Sequence, residues 1–596
     1  MCSRILPALF ALVAVCSEAA PVWVEVNQPN SAYIVAGITL PNGRQLLGGN
    51  YDGYYWRDST ATPWRQQQSI NDTWSFARDA GGRTYAAGIG GMVAHSDTNG
   101  DSWTYTFLPC SVPCTAVYVT VTPSGAVIAA DEYGAAYRSS DRGLNWTLGS
   151  GGVPSLQAPL DIAAGTNGTL YAVGSSVLFT SSDDGASWQS IIDMGSWLQV
   201  EALPANELLL SHSTSGLWRR SAGGSYSQAG LGQIPETIRR LYHATDGRWL
   251  AATDAGIYRA EASLAAWTLV GPGIAGVAAF LPQPGGGALA AGPRGAARSD
   301  AQLQNWQEDM NGMRSALLSD VVAAGSSLFA AAFGGEVFRS DDGAASWVRR
   351  QAGLPVCTLA ALARLDNGRL LASCSRSPNA TFTSMDNASS WAQLATLPYV
   401  DTIVSANSTV AVALKNYTGL WRSTDGGASW TRSSQSFDTE SPIQLVRASD
   451  GALWVRSSAA LYRSTDLGAS WQPAHTGLAT PGTQSLWPVA DGLLSLGQSQ
   501  AYRYSGGGWS AFGSPYSTAP SSAVQVGAQI LLTGGSVQLL GDAASGNWRR
   551  IASASPYLGG FARTSDGSLF AVARFAASPI WKLSDDRIFA DTLDRP

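Results

Sequence analysis

Short apolar runs recur along the whole chain, and polar turn residues separate them at near-regular intervals. Four segments show the pattern: LPNGRQLLGG (Leu40–Gly49), HATDGRWLAATDAGIYR (His243–Arg259), RLDNGRLLASC (Arg364–Cys374) and RASDGALWVRSSAALYRS (Arg447–Ser464). Each reads as an apolar strand, an Asn/Asp/Gly turn, a second apolar strand, a short loop, and a third strand ending near Tyr-Arg-Ser. Asn-Gly or Asp-Gly between two apolar runs is the strongest local hairpin signal, because both turn residues tolerate positive φ.

A tryptophan, or once a tyrosine, marks the fourth strand of every unit but the last. The series runs Trp64, Trp103, Trp146, Trp188, Tyr226, Trp267, Trp306, Trp347, Trp391, Trp430, Trp471, Trp509 and Trp548, in steps of 38 to 44 residues. Four short antiparallel strands in about 41 residues make one propeller blade. Fourteen units, from Tyr33 to Asp586, predict an all-β chain of two tandem seven-bladed β-propellers with four-stranded antiparallel blades, since a single ring of fourteen leaves a wide, unpacked hole. The join falls near Asp309–Ser315, giving a first ring over 20–312 and a second over 313–596. Trp23 lies one step before Trp64. It reads as a displaced fourth strand that closes a ring against a late blade, because the last unit, KLSDDRIFADTLDRP, has only a doubtful fourth strand of its own.

Before several of these tryptophans stands the phrase Ser-x-Asp-x-Gly-x-x-Trp. It is strict at Ser139, Asp141, Gly143 and Trp146; at Ser181, Asp183, Gly185 and Trp188; at Ser423, Asp425, Gly427 and Trp430; and at Ser464, Asp466, Gly468 and Trp471. Decayed copies carry Thr98 at the aspartate position, or Ala344 and Ala388 at the glycine position. Ser and Asp side chains can bond loop N–H groups, glycine permits positive φ, and the indole buries a large face. A catalytic role fails on logic: a site needs one acid and one base together, not copies around a circumference. The phrase is a turn brace between third and fourth strands. It resembles the Asp-box, or BNR repeat, of sialidases, sortilin-type receptors, photosystem II assembly factors and xyloglucan-hydrolysing glycosidases.

Composition adds a compartment. With 45% hydrophobic and 13% charged residues and a net charge of -6, the chain is globular and offers no electrostatic case for nucleic acid. The N-terminus, MCSRILPALFALVAVCSEAAPVW, reads as a secretory signal over 1–19 with cleavage after Ala19 or Ala20. Cys16 raises a lipoprotein alternative, which Val15 before it fits poorly. No later run is long enough to span a bilayer. Four cysteines remain, and an oxidising compartment favours the local pairs Cys110–Cys114 and Cys357–Cys374 as disulfides. His95, His212, His243 and His475 show no ligand spacing, so no metal and no cofactor is expected.

Two function classes remain. Tandem rings most resemble the xyloglucan-hydrolysing glycosidases, and the resemblance implies catalytic aspartates on loops facing an inter-ring cleft. The family motif reads like Thr-Asp-Val-Gly-Gly-Ala-Tyr-Arg. The nearest segment here, NYDGYYWR (Asn50–Arg57), puts Tyr51 at the aspartate position with Asp52 one place off. In the second ring AFGGEVFR (Ala332–Arg339) has Ala332 there. Because glycoside hydrolysis ordinarily needs two opposed carboxyls, the departures favour a noncatalytic, exported binding or assembly protein, periplasmic or extracellular, with a protein or polysaccharide partner. Its candidate contacts on second-to-third-strand loops are Tyr51, Tyr54, Tyr55, Tyr133, Phe333, Lys415, Tyr417 and Phe575. Under the hydrolase alternative, acting on a β-glucan such as xyloglucan, the candidate acids are Asp52, Asp131, Glu132 and Asp254. Sialidase activity is disfavoured by the absence of Arg-Ile-Pro. Arg138, Arg259, Arg339, Arg422 and Arg463 all end third strands, which implies a structural role.

Overall fold

A computed structural model describes residues 22–584, apart from 30–31, 51–52, 68–69, 71, 150–160, 175–176, 192–194, 230–233, 235–236, 273, 315–317, 376–377, 481, 483–484, 535–536, 552–557 and 574–579. The signal segment, Cys16, Tyr51, Asp52 and Phe575 lie outside the described residues. The chain forms fourteen four-stranded antiparallel sheets, each a blade, arranged as two tandem seven-bladed propellers. Blades one to seven begin with Ile34–Thr39, Ser75–Arg78, Ala116–Val121, Asp161–Ala164, Trp197–Ala202, Arg240–His243 and Ala279–Pro282. Blades eight to fourteen begin with Leu318–Ala324, Leu359–Arg364, Thr402–Ser405, Gln444–Arg447, Ser485–Val489, Ser522–Val526 and Leu558–Arg563.

Burial grades across each blade. Second strands such as Val127–Asp131, Leu370–Cys374 and Leu569–Ala573 are buried at every residue, because neighbouring blades cover both faces. That is why they read as unbroken runs of Leu, Val and Ala rather than as alternation. Fourth strands lie at the rim; Thr147–Leu148 is exposed throughout. First strands line the ring's centre, and side chains there reach the next blade. Ser75 donates to the Val119 carbonyl at 3.2 Å, and Asp161 accepts from Val200 N–H at 3.0 Å. Gln444 both donates to and accepts from the backbone of Leu486, at 2.8 and 2.9 Å.

At the rim, the serine–aspartate phrase folds as its chemistry predicts. In blade three, Ser139 Oγ donates to Asp141 Oδ1 at 2.7 Å and accepts from Gly143 N–H at 2.8 Å; Asp141 Oδ1 also accepts Asn145 N–H at 2.9 Å. Ser181, Ser423 and Ser464 make the same bonds to Asp183, Asp425 and Asp466. The decayed copies keep the geometry at a conformational cost, with Ala344 at φ 70 and Ala388 at φ 66. An arginine of the preceding blade then caps the turn. Arg138 donates to the Asp184 carbonyl and Arg422 to that of Leu467, both at 3.0 Å; Arg83 and Arg369 reach Arg142 and Gly426 in the same way. Arg339 instead pairs with Asp341, and Arg259 with Glu261.

The same tryptophans show how each ring closes. Trp391 of blade nine donates through Nε1 to Arg350 and through its backbone to Ala352, in the segment leaving blade eight. Trp509 of blade twelve treats Ala474 and Thr476 of the preceding blade likewise. Trp64 of blade one makes these two bonds to Asp309 and Asn311, so blade one follows blade seven in space. Gly312, at φ 91, is obligatory: a Cβ there would sit 2.2 Å from the Trp64 carbonyl. In the second ring Trp347 of blade eight donates to the Asn27 carbonyl at 2.9 Å. Asn27 follows the strand Val22–Glu25, which pairs antiparallel with Ile580–Ser584 as the fourth strand of blade fourteen. The first strand among the described residues, inside the stretch assigned to the first ring, therefore completes the last blade of the second, and removes an exposed edge. Trp23 carries the burial, packing with Leu531, Leu540, Leu558 and Leu569.

Candidate functional site

Antiparallel order puts all second-to-third loops and blade-to-blade connections on one face of a ring, the loop face. First-to-second and third-to-fourth turns lie on the other, the turn face. Both disulfides, Cys110–Cys114 and Cys357–Cys374, are formed, with Cα separations of 6.3 and 5.6 Å, and both stand on loop faces.

Each described acid expected from sequence has its own local setting. Asp131 is buried and braces its own turn, accepting from Tyr133 and Ala135 N–H at 3.0 and 2.8 Å. The Tyr137 hydroxyl donates to its other oxygen at 3.3 Å, and burial followed by the Asp131 charge pushes that phenol up to about 12. Cys110, Cys114 and Asp131 bring ligand-type atoms within 4.8 Å of one another, but the two sulfurs are bonded together and offer no thiolate. Asp254 is exposed and held by Arg239 through two bonds of 2.8 Å. Glu132 is exposed beside Asp131.

The expected contact residues divide. Tyr54 and Tyr55 are fully buried, donating to the carbonyls of Gly100 and Arg314 at 2.8 Å; they are blade packing and are not presented to a partner. Their place next to a loop gave no sign of this, because the pleat turns them both into blade interfaces. Phe333 is half-buried, and Lys415 lies over the Tyr399 ring at 5.3 Å. Tyr133 and Tyr417 do project, at 51% and 72% exposed.

Around Tyr133 the structure adds three residues that sequence reasoning missed. Ile89, Phe107 and Val112 are 49%, 63% and 55% exposed on the loop face of blades two and three. Their loops are tied together: Leu108 N–H donates to Gly91, Ala116 to Gly88 and Glu132 to Thr115, at 2.8 to 3.0 Å. The Cys110–Cys114 bond locks the segment that carries Val112. A rigid surface showing large apolar side chains is what recognition sites use, since little entropy is lost on binding. The available signal was Val112 lying between the two cysteines of CSVPC.

A second polar locus lies on the inner strands of the first ring. Asp161 (blade four), Glu201 (blade five) and Arg240 (blade six) all belong to first strands. Arg240 approaches Asp161 at 4.0 Å and donates to Gln199 Oε1 at 3.3 Å. Burial, then the charge of Asp161, raises the Glu201 carboxyl to about 7, against the opposing pull of Arg240. Glu201 itself is half-buried. Carboxyls perturbed in this way mark functional-site candidates.

Where the two rings meet, both loop faces take part. Arg294 of blade seven donates to the carbonyls of Gly334, Gly335, Leu354 and Pro355, at 3.2, 3.3, 2.9 and 2.5 Å. Burial lowers its guanidinium to about 10.

Fold and site together define the class: a tandem seven-bladed propeller with a disulfide-braced loop face. Among solved structures it is similar to the GH74 xyloglucanase of Xanthomonas campestris, at 16% identity and TM-score 0.60, covering 95% of this chain and 100% of that one. It is also similar to PorZ, a surface component of the type-IX secretion system of Porphyromonas gingivalis (13% identity, TM-score 0.49, covering 94% and 87%). YCF48 of Cyanidioschyzon merolae matches 46% of this chain over 97% of its own, at 13% identity and TM-score 0.38. At these identities the likeness concerns the fold alone. No family profile and no curated protein matches the sequence. Among the described residues no helix is long and apolar enough to cross a membrane.

Proposed function

We propose that the chain is an exported Asp-box propeller protein without catalytic activity, presenting the loop face of its first ring to a macromolecular partner, protein or glycan. One observation carries this reading: four large apolar side chains, Ile89, Phe107, Val112 and Tyr133, are held exposed on loops cross-braced by Cys110–Cys114. Export is supported by the N-terminal apolar segment and by both disulfides. The apolar character of the patch favours a protein partner, for which exposed aromatics supply the anchors. The test is a photo-reactive residue placed at position 112, with one at the rim position 148 as reference, in the cells that make the protein. A discrete adduct at 112 that Phe107→Glu removes is expected. Equal or absent adducts at the two positions reject the reading.

A second reading is glycoside hydrolysis of a β-glucan such as xyloglucan, the substrate named for the Xanthomonas campestris protein. The enclosed pair Asp161 and Glu201 favours it, because a carboxyl raised to about 7 suits a general acid. Under the first reading, xyloglucan and other β-glucans yield no new reducing ends. Turnover abolished by Glu201→Gln establishes the second.

A further inference from the structure

On the turn face of the second ring, far from the loops just described, blade twelve departs from the repeat. Its third and fourth strands, Ala501–Ser505 and Gly508–Phe512, join through the two-residue turn Gly506-Gly507, at φ 59 and 88, in place of the long serine–aspartate turn. Its first two strands join as tightly, through Ala490-Asp491. The missing bulk leaves a groove of about 490 Å³ between blades eleven and twelve. This lies within the ~300–1,000 Å³ usual for small-molecule sites.

The groove also strands an arginine. Arg463 occupies in blade eleven the place of Arg138 in blade three and Arg422 in blade ten, each of which caps the next blade's turn. Blade twelve has no such turn to cap. Arg463 instead lies 5.8 Å from the Trp454 ring and 5.5 Å from the Tyr504 ring, and bonds Asp450 through Nη2 alone, at 2.9 Å. Asp491, across the groove, is exposed and has no ion-pair partner among the described residues. No atom would meet a Cβ at Gly506 or Gly507 within 4 Å, so the floor is open backbone.

We infer that this groove binds a short neutral saccharide. The unpaired Nε of Arg463 stands in the groove with the carboxylate of Asp491 and with Asp450, whose Oδ1 accepts Ala452 N–H and whose Oδ2 accepts Arg463, each with lone pairs to spare, and with an aromatic edge at Tyr504. A cation satisfies the carboxylates but is repelled by Arg463; an anion meets the reverse. A hydroxyl both donates and accepts, so a polyol engages both sets without burying net charge. The apolar C–H groups of a sugar ring pack against the Tyr504 edge.

The test uses the intact protein and four neutral tetrasaccharides, of cellulose, xylan, mannan and amylose type, titrated by calorimetry and tryptophan fluorescence. A heparin tetrasaccharide and tetra-arginine serve as charged references. Saturable binding of a neutral tetrasaccharide is expected, weakened at least tenfold by Asp491→Ala and abolished by Ser505→Trp, which fills the groove from an exposed position. Phe107→Glu, on the other ring, leaves it unchanged, which separates this site from the loop face. Absence of binding by all four, tighter binding of either charged reference, or indifference to both substitutions overturns the inference.

Discussion

Arg294 of the first ring donates to the Leu354 carbonyl of the second at 2.9 Å, and the same guanidinium takes three further carbonyls of that ring. A single side chain thus gathers the acceptors of two loops that would otherwise face each other unpaired. Arg294→Met keeps most of the apolar stem and removes the donors. Hydrogen bonds to a charged group are worth ~1.5–3 kcal/mol in net terms. The expected result is a loss of that size for the contact between rings, read as earlier proteolytic cleavage between them and a larger radius of gyration in solution scattering. Unchanged scattering and cleavage would show that the latch is ornamental.

Trp23 is the hydrophobic anchor of the strand that closes the second ring, and its burial against blade fourteen joins the two ends of the described chain. Trp23→Ala in a well-packed core costs ~3–5 kcal/mol. The loss is predicted to fall on the second ring: hydrogen exchange should accelerate in blades fourteen and eight and remain slow in blades two to six. Uniform acceleration across both rings would contradict closure by this strand.

How far the sequence led can be judged residue by residue. Trp23 was legible because it stands one repeat before Trp64 and the last blade lacks a fourth strand; both are facts of spacing. The serine–aspartate turns were legible because each is a local structure whose bonds span four residues. The site was less so. Tyr54 and Tyr55 were placed by loop proximity, but orientation is decided by the pleat and by contacts with Gly100 and Arg314, 46 and 259 residues away. Ile89 and Phe107 carry no motif; only the folding of blades two and three puts them on one surface. Glu201 is an ordinary acid in an apolar strand until the ring encloses it.

Acid should undo the rim before the core. Hydrogen bonds from Asn145 N–H and its side-chain amide, with Ser139, hold Asp141 down to about 2, and serine hydroxyls with backbone N–H groups hold Asp342, Asp386, Asp425 and Asp466 there also. Each folded value lies below the ordinary 3.8, so the stabilisation is complete above about pH 4 and lost as pH falls through 2. In the Glu201→Gln background, where the one carboxyl raised to about 7 no longer titrates, thermal midpoints are predicted to be level from pH 7 to 5 and to drop steeply below 4. Asp425→Ala, which leaves the Ser423 hydroxyl, Ala428 N–H and Ser429 without their acceptor, should cost ~1 kcal/mol at pH 7, as loss of a capping side chain does, and should flatten part of that drop. A profile unaltered by the substitution would assign the acid sensitivity elsewhere.

Glu201 predicts the opposite sign. Its folded carboxyl is raised from 4.5 to about 7, by burial first and Asp161 second. The folded chain therefore holds a proton that the unfolded chain releases between those values. The resulting stability is full below pH 4.5 and is lost as pH rises through 7. Glu201→Gln keeps the shape and removes the charge. The variant should match the parent at pH 5 and melt higher than it at pH 8, where the parent must hold an enclosed carboxylate beside Asp161. The comparison needs only thermal melts of the two proteins at the two pH values. Equal midpoints at pH 8 would mean that this carboxylate is solvated as in bulk water, and would remove the physical basis for a general acid in the first ring.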